Sequence, residues 1–289
     1  MNLPNLFPSK FRLFVLTAAA LTSSALAYPP TPPAVVTGMV RGEYGFRPEF
    51  GRLEIALMSG STQLATARVQ ASGAFTPNFQ LVLPLDLNPA TGRYRTVATQ
   101  PKQMRNYRFE ARQNGRVVPI TEIEQVGQRT LDQSGGKFLF NFTLGQDVDG
   151  DTLPDGWETF QASKIDGFEG DPLELYSRDG DQDGDGMSDF DEYVAGTFAS
   201  VFEDAFNVWI QAVHEDGSAE LSFLGIDSKS YRIQGTADGE NWTDLDVTPE
   251  GSTGSVPVLK ARNTKTTVVT VAPLVEAEGQ TTIYRLLVD

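Results

Sequence analysis

Carboxylates fall at positions 1, 3, 5, 9 and 12 of two twelve-residue stretches whose starts lie 34 residues apart. The first set is Asp147, Asp149, Asp151, Asp155 and Glu158; the second is Asp181, Asp183, Asp185, Asp189 and Glu192. Oxygen-only donors at this spacing suit a hard divalent cation. Ca²⁺ takes about six to eight oxygens: side chains at positions 1, 3 and 5, a backbone carbonyl at 7, position 9 directly or through water, and both oxygens of a Glu at 12. A carbonyl ligand leaves its side chain free, so Leu153 and Met187 are allowed at position 7. The high ligand number and the lack of an implied phosphate favour Ca²⁺ over Mg²⁺. Between residues 147 and 192 there are sixteen Asp and Glu against Lys164 and Arg178, so this stretch holds nearly all of the chain's net charge of −15. Without a cation these carboxylates repel one another and the segment should loosen. The competing reading of such a run is a solvated acidic linker.

Position 6 must turn sharply, and a positive φ is inexpensive there only for glycine. The second loop has Gly186 at this place and the first has Thr152, which predicts that the first is the weaker or more strained site.

A short helix should follow each loop. Trp157, Phe160 and Ile165 can share a face after the first, and Phe190, Tyr193, Val194 and Phe198 after the second. Gly196 is placed to end the second helix. These apolar residues read as a small core between the loops, and Trp157 should pack beside its own loop.

The pattern Asp-x-Asp-Gly-Asp-x-apolar-x-Asp resembles the thrombospondin type 3 repeat. Position 8 carries Pro154 and Ser188, where an EF-hand or dockerin loop has an apolar residue. The strings from Asp149 to Glu158 and from Asp183 to Thr197 are similar to a bacterial variant of that repeat, common in large secreted proteins of Verrucomicrobia-like and Planctomycetes-like bacteria. The resemblance implies Ca²⁺ binding and an extracellular setting. This chain departs from the animal repeats in having no cysteine.

The flanking sequence is strand-like. Short β-branched and aromatic runs at Val35–Val40, Arg52–Met58, Gln63–Val69, Phe75–Leu83, Tyr94–Ala98, Tyr107–Gln113 and Phe138–Leu144 are separated by Gly, Pro, Asn and Ser, as in an antiparallel sandwich. A second series covers Phe206–Ile210, Ala219–Phe223, Tyr231–Gln234, Trp242–Leu245, Val256–Leu259, Thr266–Val271 and Thr282–Val288. The fold expected is mainly β: two antiparallel β-sandwich domains, 34–146 and 203–289, joined by a calcium-binding loop-helix segment at 147–202. The first domain resembles immunoglobulin-like modules of bacterial surface proteins through Thr37 to Phe46. The second resembles a fibronectin-III-like module through Ser230 to Gln234, Trp242 and Tyr284 to Leu286.

Residues 1–27 read as a secretory signal, with Lys10 and Arg12 before an apolar run and Ala25-Leu26-Ala27 as the cleavage site. Residues 28–33 form a Pro-rich leader. Export and the absence of cysteine together require support from cores and metal.

Enzyme chemistry has little to draw on. His214 is the one histidine, and cysteine is absent, which leaves no nucleophilic triad outside His214 and no ordinary catalytic zinc site. The carboxylates are already explained by the loop spacing. The acidity argues against nucleic acid, which needs a basic footprint. The expectation is a non-enzymatic, secreted, calcium-binding structural or adhesive protein, with extracellular protein or polysaccharide as partner. The alternative is a carbohydrate-binding module or a non-catalytic subunit of an extracellular assembly. Trp242 or clustered tyrosines are then the stacking candidates, with a core place the favoured reading for Trp242, and Trp209, between Val208 and Ile210, is expected in the core.

Overall fold

Alternation of apolar and polar residues decides which face of each strand is buried, and the computed structural model shows three separate cores built that way. It describes residues 32–48, 52–85, 107–126, 131, 135–274 and 281–289. The strand expected at Tyr94–Ala98, the signal segment and most of the Pro-rich leader lie outside these residues. The described chain falls within one compact unit, Thr31–Asp289.

The first β region runs β1 (Ala34–Gly38), β2 (Val40–Arg41), β3 (Leu53–Ser59), β4 (Thr62–Arg68), β5 (Phe79–Leu83), β6 (Tyr107–Gln113), β7 (Arg116–Val118), β8 (Ile120–Val126) and β9 (Lys137–Leu144). One sheet has the order β2-β9-β1-β5 with β8 on β9; the other has the order β4-β3-β6-β7. Their inner faces meet through Val36, Leu81, Phe140 and Phe142 on one side and Ile55, Leu57, Phe109 and Ala111 on the other. Phe109 lies 5.0 Å from both Phe140 and Phe142, ring centre to ring centre. Such aromatic pairs add about 0.5–1.5 kcal/mol beyond their buried area. The expectation of antiparallel pairing holds for most of the ladder, but β1 and β2 both pair with β9 in parallel. The run at 35–40 is two strands, not one. It breaks at Met39, whose N–H goes to Asn141 Oδ1, while the Asn78 amide serves both backbone groups of Val40.

The connector holds α1 (Asp155–Ala162), 3₁₀ turns at Pro172–Glu174 and Phe202–Asp204, and α2 (Asp189–Ala195). The second β region is β10 (Val208–Val213), β11 (Ala219–Gly225), β12 (Ser230–Thr236), β13 (Thr243–Leu245), β14 (Val247–Pro249), β15 (Leu259–Lys260), β16 (Lys265–Val271) and β17 (Ile283–Val288). Its sheets, β10-β11-β16-β14 and β13-β12-β15 with β17 on β12, are antiparallel. They enclose Leu221, Phe223, Tyr231, Ile233, Val269 and Val271. No helix among the described residues is long and apolar enough to cross a membrane.

Candidate metal centre

The two loops share one pattern of side-chain to backbone hydrogen bonds. In the first, Asp147 accepts from Gly150 N at 2.7 Å and from Thr152 N at 3.2 Å, and Asp151 accepts from Leu153 N at 2.8 Å. In the second, Asp181 accepts from Gly184 N at 2.8 Å and from Gly186 N at 3.0 Å, and Asp185 accepts from Met187 N at 2.7 Å. Position 9 folds back to position 2 in both, with Asp155 accepting from Val148 N and Asp189 from Gln182 N. These bonds turn the chain tightly, taking both oxygens of Asp147 and Asp181 and leaving Asp151 Oδ2 and Asp185 Oδ2 without a hydrogen bond.

The sharp turn at position 6 is real in both copies: φ is +80° at Thr152 and +97° at Gly186. For a β-branched residue this is a strained conformation. Thr152 is held there with its hydroxyl 3.4 Å from Arg178, whose guanidinium also pairs with Glu122 of β8 at 2.8 Å.

This curling brings carboxylate oxygens together. Asp147, Asp149 and Asp155 gather within 4.8 Å of one another, as do Asp149, Asp151 and Glu158, and Asp181, Asp183 and Asp185. Glu192 and Asp189 are not drawn into the second triad at that distance. Asp189 instead spends its other oxygen on Ser177 N. Of the position 7 residues, Leu153 is buried in the connector core, and Met187 Sδ accepts from Phe206 N at 3.1 Å.

The electrostatics are those of a site short of positive charge. Glu158 and Glu192 have no solvent exposure. Burial first, and then the neighbouring loop aspartates, push each up to about 8. Asp151 is pushed up to about 6 for the same two reasons. Burial also raises Asp183 and Asp189. Seven buried side-chain oxygens among the described residues have no hydrogen-bond partner. Six are loop carboxylate oxygens: Asp151 Oδ2, both oxygens of Glu158, Asp183 Oδ2, Asp185 Oδ2 and Glu192 Oε2. A buried polar atom without a partner costs roughly 1–3 kcal/mol, more if charged. Positions 5 and 12 carry such oxygens in both loops, and position 3 in the second alone.

The helices hold the closing glutamates in place. In α1, Glu158 and Trp157 are both buried, and Trp157 packs at 5.5 Å from Tyr176 and 6.0 Å from Tyr193. In α2, Ser188 caps the first turn by accepting from Asp191 N, and Gly196 ends the helix with φ +86°, as its position predicts. Tyr193 is buried with Phe190 and Val194 beside it. The shared faces are only partly as expected: Phe160 and Phe198 stack on each other at the surface, because each helix is too short to cover a second row.

Asp204 was not legible as part of this site. It lies beyond the second loop, accepts from Phe198 N, and is raised by burial and then by Asp183 and Asp185. Its distance along the chain hid it; only its place in an acidic turn could have signalled it. Of the other residues singled out, His214 sits on an exposed hairpin 3.4 Å from Glu220. Trp242 is half-buried under the Arg285 guanidinium, 4.1 Å from its ring centre. Trp209 is a correction: it is 62% exposed, because β10 lies at the edge of its sheet and among the described residues pairs with β11 alone. Comparison of the chain with protein-family models, with curated proteins and with solved structures returns no match.

Proposed function

We propose that this chain is an exported, calcium-binding structural protein of the thrombospondin type 3 kind, in which two Ca²⁺ loops stiffen the joint between two β-sandwiches. The observation that carries the reading is the set of six buried, partnerless carboxylate oxygens in the two loops, with positions 5 and 12 represented in both. An acidic linker would leave such oxygens in water. Asp147, Asp149, Asp151, Asp155 and Glu158 would hold one ion, and Asp181, Asp183, Asp185 and Glu192 the other, with Asp189 bracing the second turn. The ion supplies charge neutralisation and ties the loop to the helix that follows it. An adhesive role toward extracellular protein or polysaccharide fits the same build, and nothing in the site asks for catalysis.

The test is calorimetric Ca²⁺ titration of the mature chain, with thermal melts in Ca²⁺ and in chelator. Two sites are expected. Each saturated to a hundred times its dissociation constant stabilises by about 2.7 kcal/mol, which for a unit of this size corresponds to a rise of roughly 10–20 °C for the pair. No heat and no shift would reduce 147–192 to a linker.

A further inference from the structure

Three consecutive residues at the end of α2 face three different parts of the molecule. Glu192 closes the second loop. The Tyr193 hydroxyl donates to the Gly42 carbonyl of the first β region at 2.7 Å. The Val194 carbonyl, freed by the end of the helix, accepts from Lys229 Nζ at 2.5 Å. Lys229 precedes β12 in the second β region, and its ammonium also donates to the Gly45 carbonyl at 3.1 Å and lies 4.6 Å from the centre of the Phe46 ring. Its side chain is 2% exposed. Lysine is almost never this buried unless paired, yet among the described residues no carboxylate pairs with it, and its partners there are two carbonyls and a ring. Burial first, and then Arg41 and Arg47, push the amine down to about 7, against the pull of Asp289.

The contact between α2 and the first β region leaves no slack. Gly45 has φ +76°, and a Cβ there would stand 1.9 Å from the Tyr193 carbonyl oxygen. The Gly42–Phe46 loop is therefore seated directly on the backbone of α2, and the Lys229 side chain reaches both at once. Apart from this joint, Arg47 pairs with Asp289, Asp289 also accepts from Phe75 N, and the Arg232 guanidinium of β12 lies 4.4 Å from the centre of the Phe75 ring.

We infer that Lys229 is a positioning residue for the second loop, tying calcium loading at Glu192 to the seating of the second β region. The inference rests on the calcium reading of that loop. Glu192 and Val194 share the last turn of a seven-residue helix, so drawing Glu192 onto an ion fixes the carbonyl that Lys229 grips. Linkage then runs both ways: docking of the second β region strengthens calcium binding by the factor by which calcium strengthens docking.

The experiment uses the full mature chain. Ca²⁺ affinity of the second loop is read by calorimetry in an Asp151→Asn background, with and without Lys229→Met, which keeps the length of the side chain and removes the donor. Amide exchange across Ser230–Thr236 is followed in Ca²⁺ and in chelator. The expected result is about a tenfold loss of second-loop affinity with Lys229→Met, and loss of the calcium-dependent protection of β12. A merely structural lysine would lower the melting temperature but leave the response to calcium unchanged. A folded Lys229→Met chain with affinity within twofold of its parent would overturn the inference. Should that variant not fold, Asp185→Asn in the otherwise native chain decides: reduced protection of Ser230–Thr236 supports the coupling, and unchanged protection overturns it. Absence of any calcium heat in the native chain would instead remove the calcium reading, and this inference with it.

Discussion

The two loops share a backbone and differ in how each is completed. The second has glycine at position 6, where the chain needs φ near +90°, while the first forces Thr152 into the same conformation. On strain alone the second is the better loop. Yet the first gathers all five of its carboxylates into two overlapping triads that include Glu158, and the second gathers only Asp181, Asp183 and Asp185. The first loop is strained but assembled; the second is relaxed and less drawn in. Backbone ease and the gathering of carboxylates are thus separate quantities, and one fold has divided them between two copies of one motif.

The largest test of that contrast is at position 12. Glu158→Gln and Glu192→Gln should each weaken calcium binding at their own loop by tenfold or more, because a two-oxygen ligand becomes a neutral one-oxygen ligand. In chelator the same changes should raise the melting temperature, since the metal-free fold must hold each glutamate protonated well above its ordinary range and a glutamine needs no proton. A fall in both conditions would mean that these glutamates serve packing alone. If the gathering in the first loop matters, Glu158→Gln has the larger effect on affinity.

Acidity gives the next effect. Both glutamates shift from an ordinary 4.5 up to about 8 in the metal-free fold. The folded state then holds protons that the unfolded chain releases. Their contribution to stability is fully present below about 4.5 and is lost as pH rises through 8. Melts in chelator should fall across this window, melts in saturating Ca²⁺ should stay nearly level, and binding near neutral pH should release protons. Equal slopes with and without Ca²⁺ would separate the glutamates from the metal.

The smallest effect concerns position 6 itself. Thr152→Gly should stabilise the chain by about 1 kcal/mol, the cost of holding a non-glycine residue at positive φ less the entropy of the added glycine. Gly186→Thr should do the reverse. Chemical denaturation of both variants measures the pair, and equal effects of the same sign would dissolve the contrast.

The loops were legible because their chemistry is local: carboxylate spacing, Gly186 and Gly196 each act within a few residues of themselves. Strands with a sharp alternation were legible for the same reason, and β6 has the bounds its pattern predicts. β8 was not, because Glu122, Glu124 and Gln125 interrupt its apolar residues and it is a strand only by pairing with β9. Trp209 misled because alternation says which face a residue takes and nothing about whether a neighbouring strand covers it. Lys229 belongs to the joint only through Gly45 and Val194, and Asp204 meets the second loop through Asp183 and Asp185, about twenty residues away, so no local pattern announces either.

The parallel pairing of β1 with β9 has a mechanical consequence. β1 leads the chain into the first sandwich and β9 leads it out, straight through Gly145 and Gln146 into the first loop. Tension between Ala34 and Leu144 pulls two strands that point the same way in opposite directions. Their hydrogen bonds are therefore loaded together, in shear, and none can open ahead of the others as it would in a hairpin peeled from its end. A sandwich threaded this way resists stretching along the line on which the acidic loops begin.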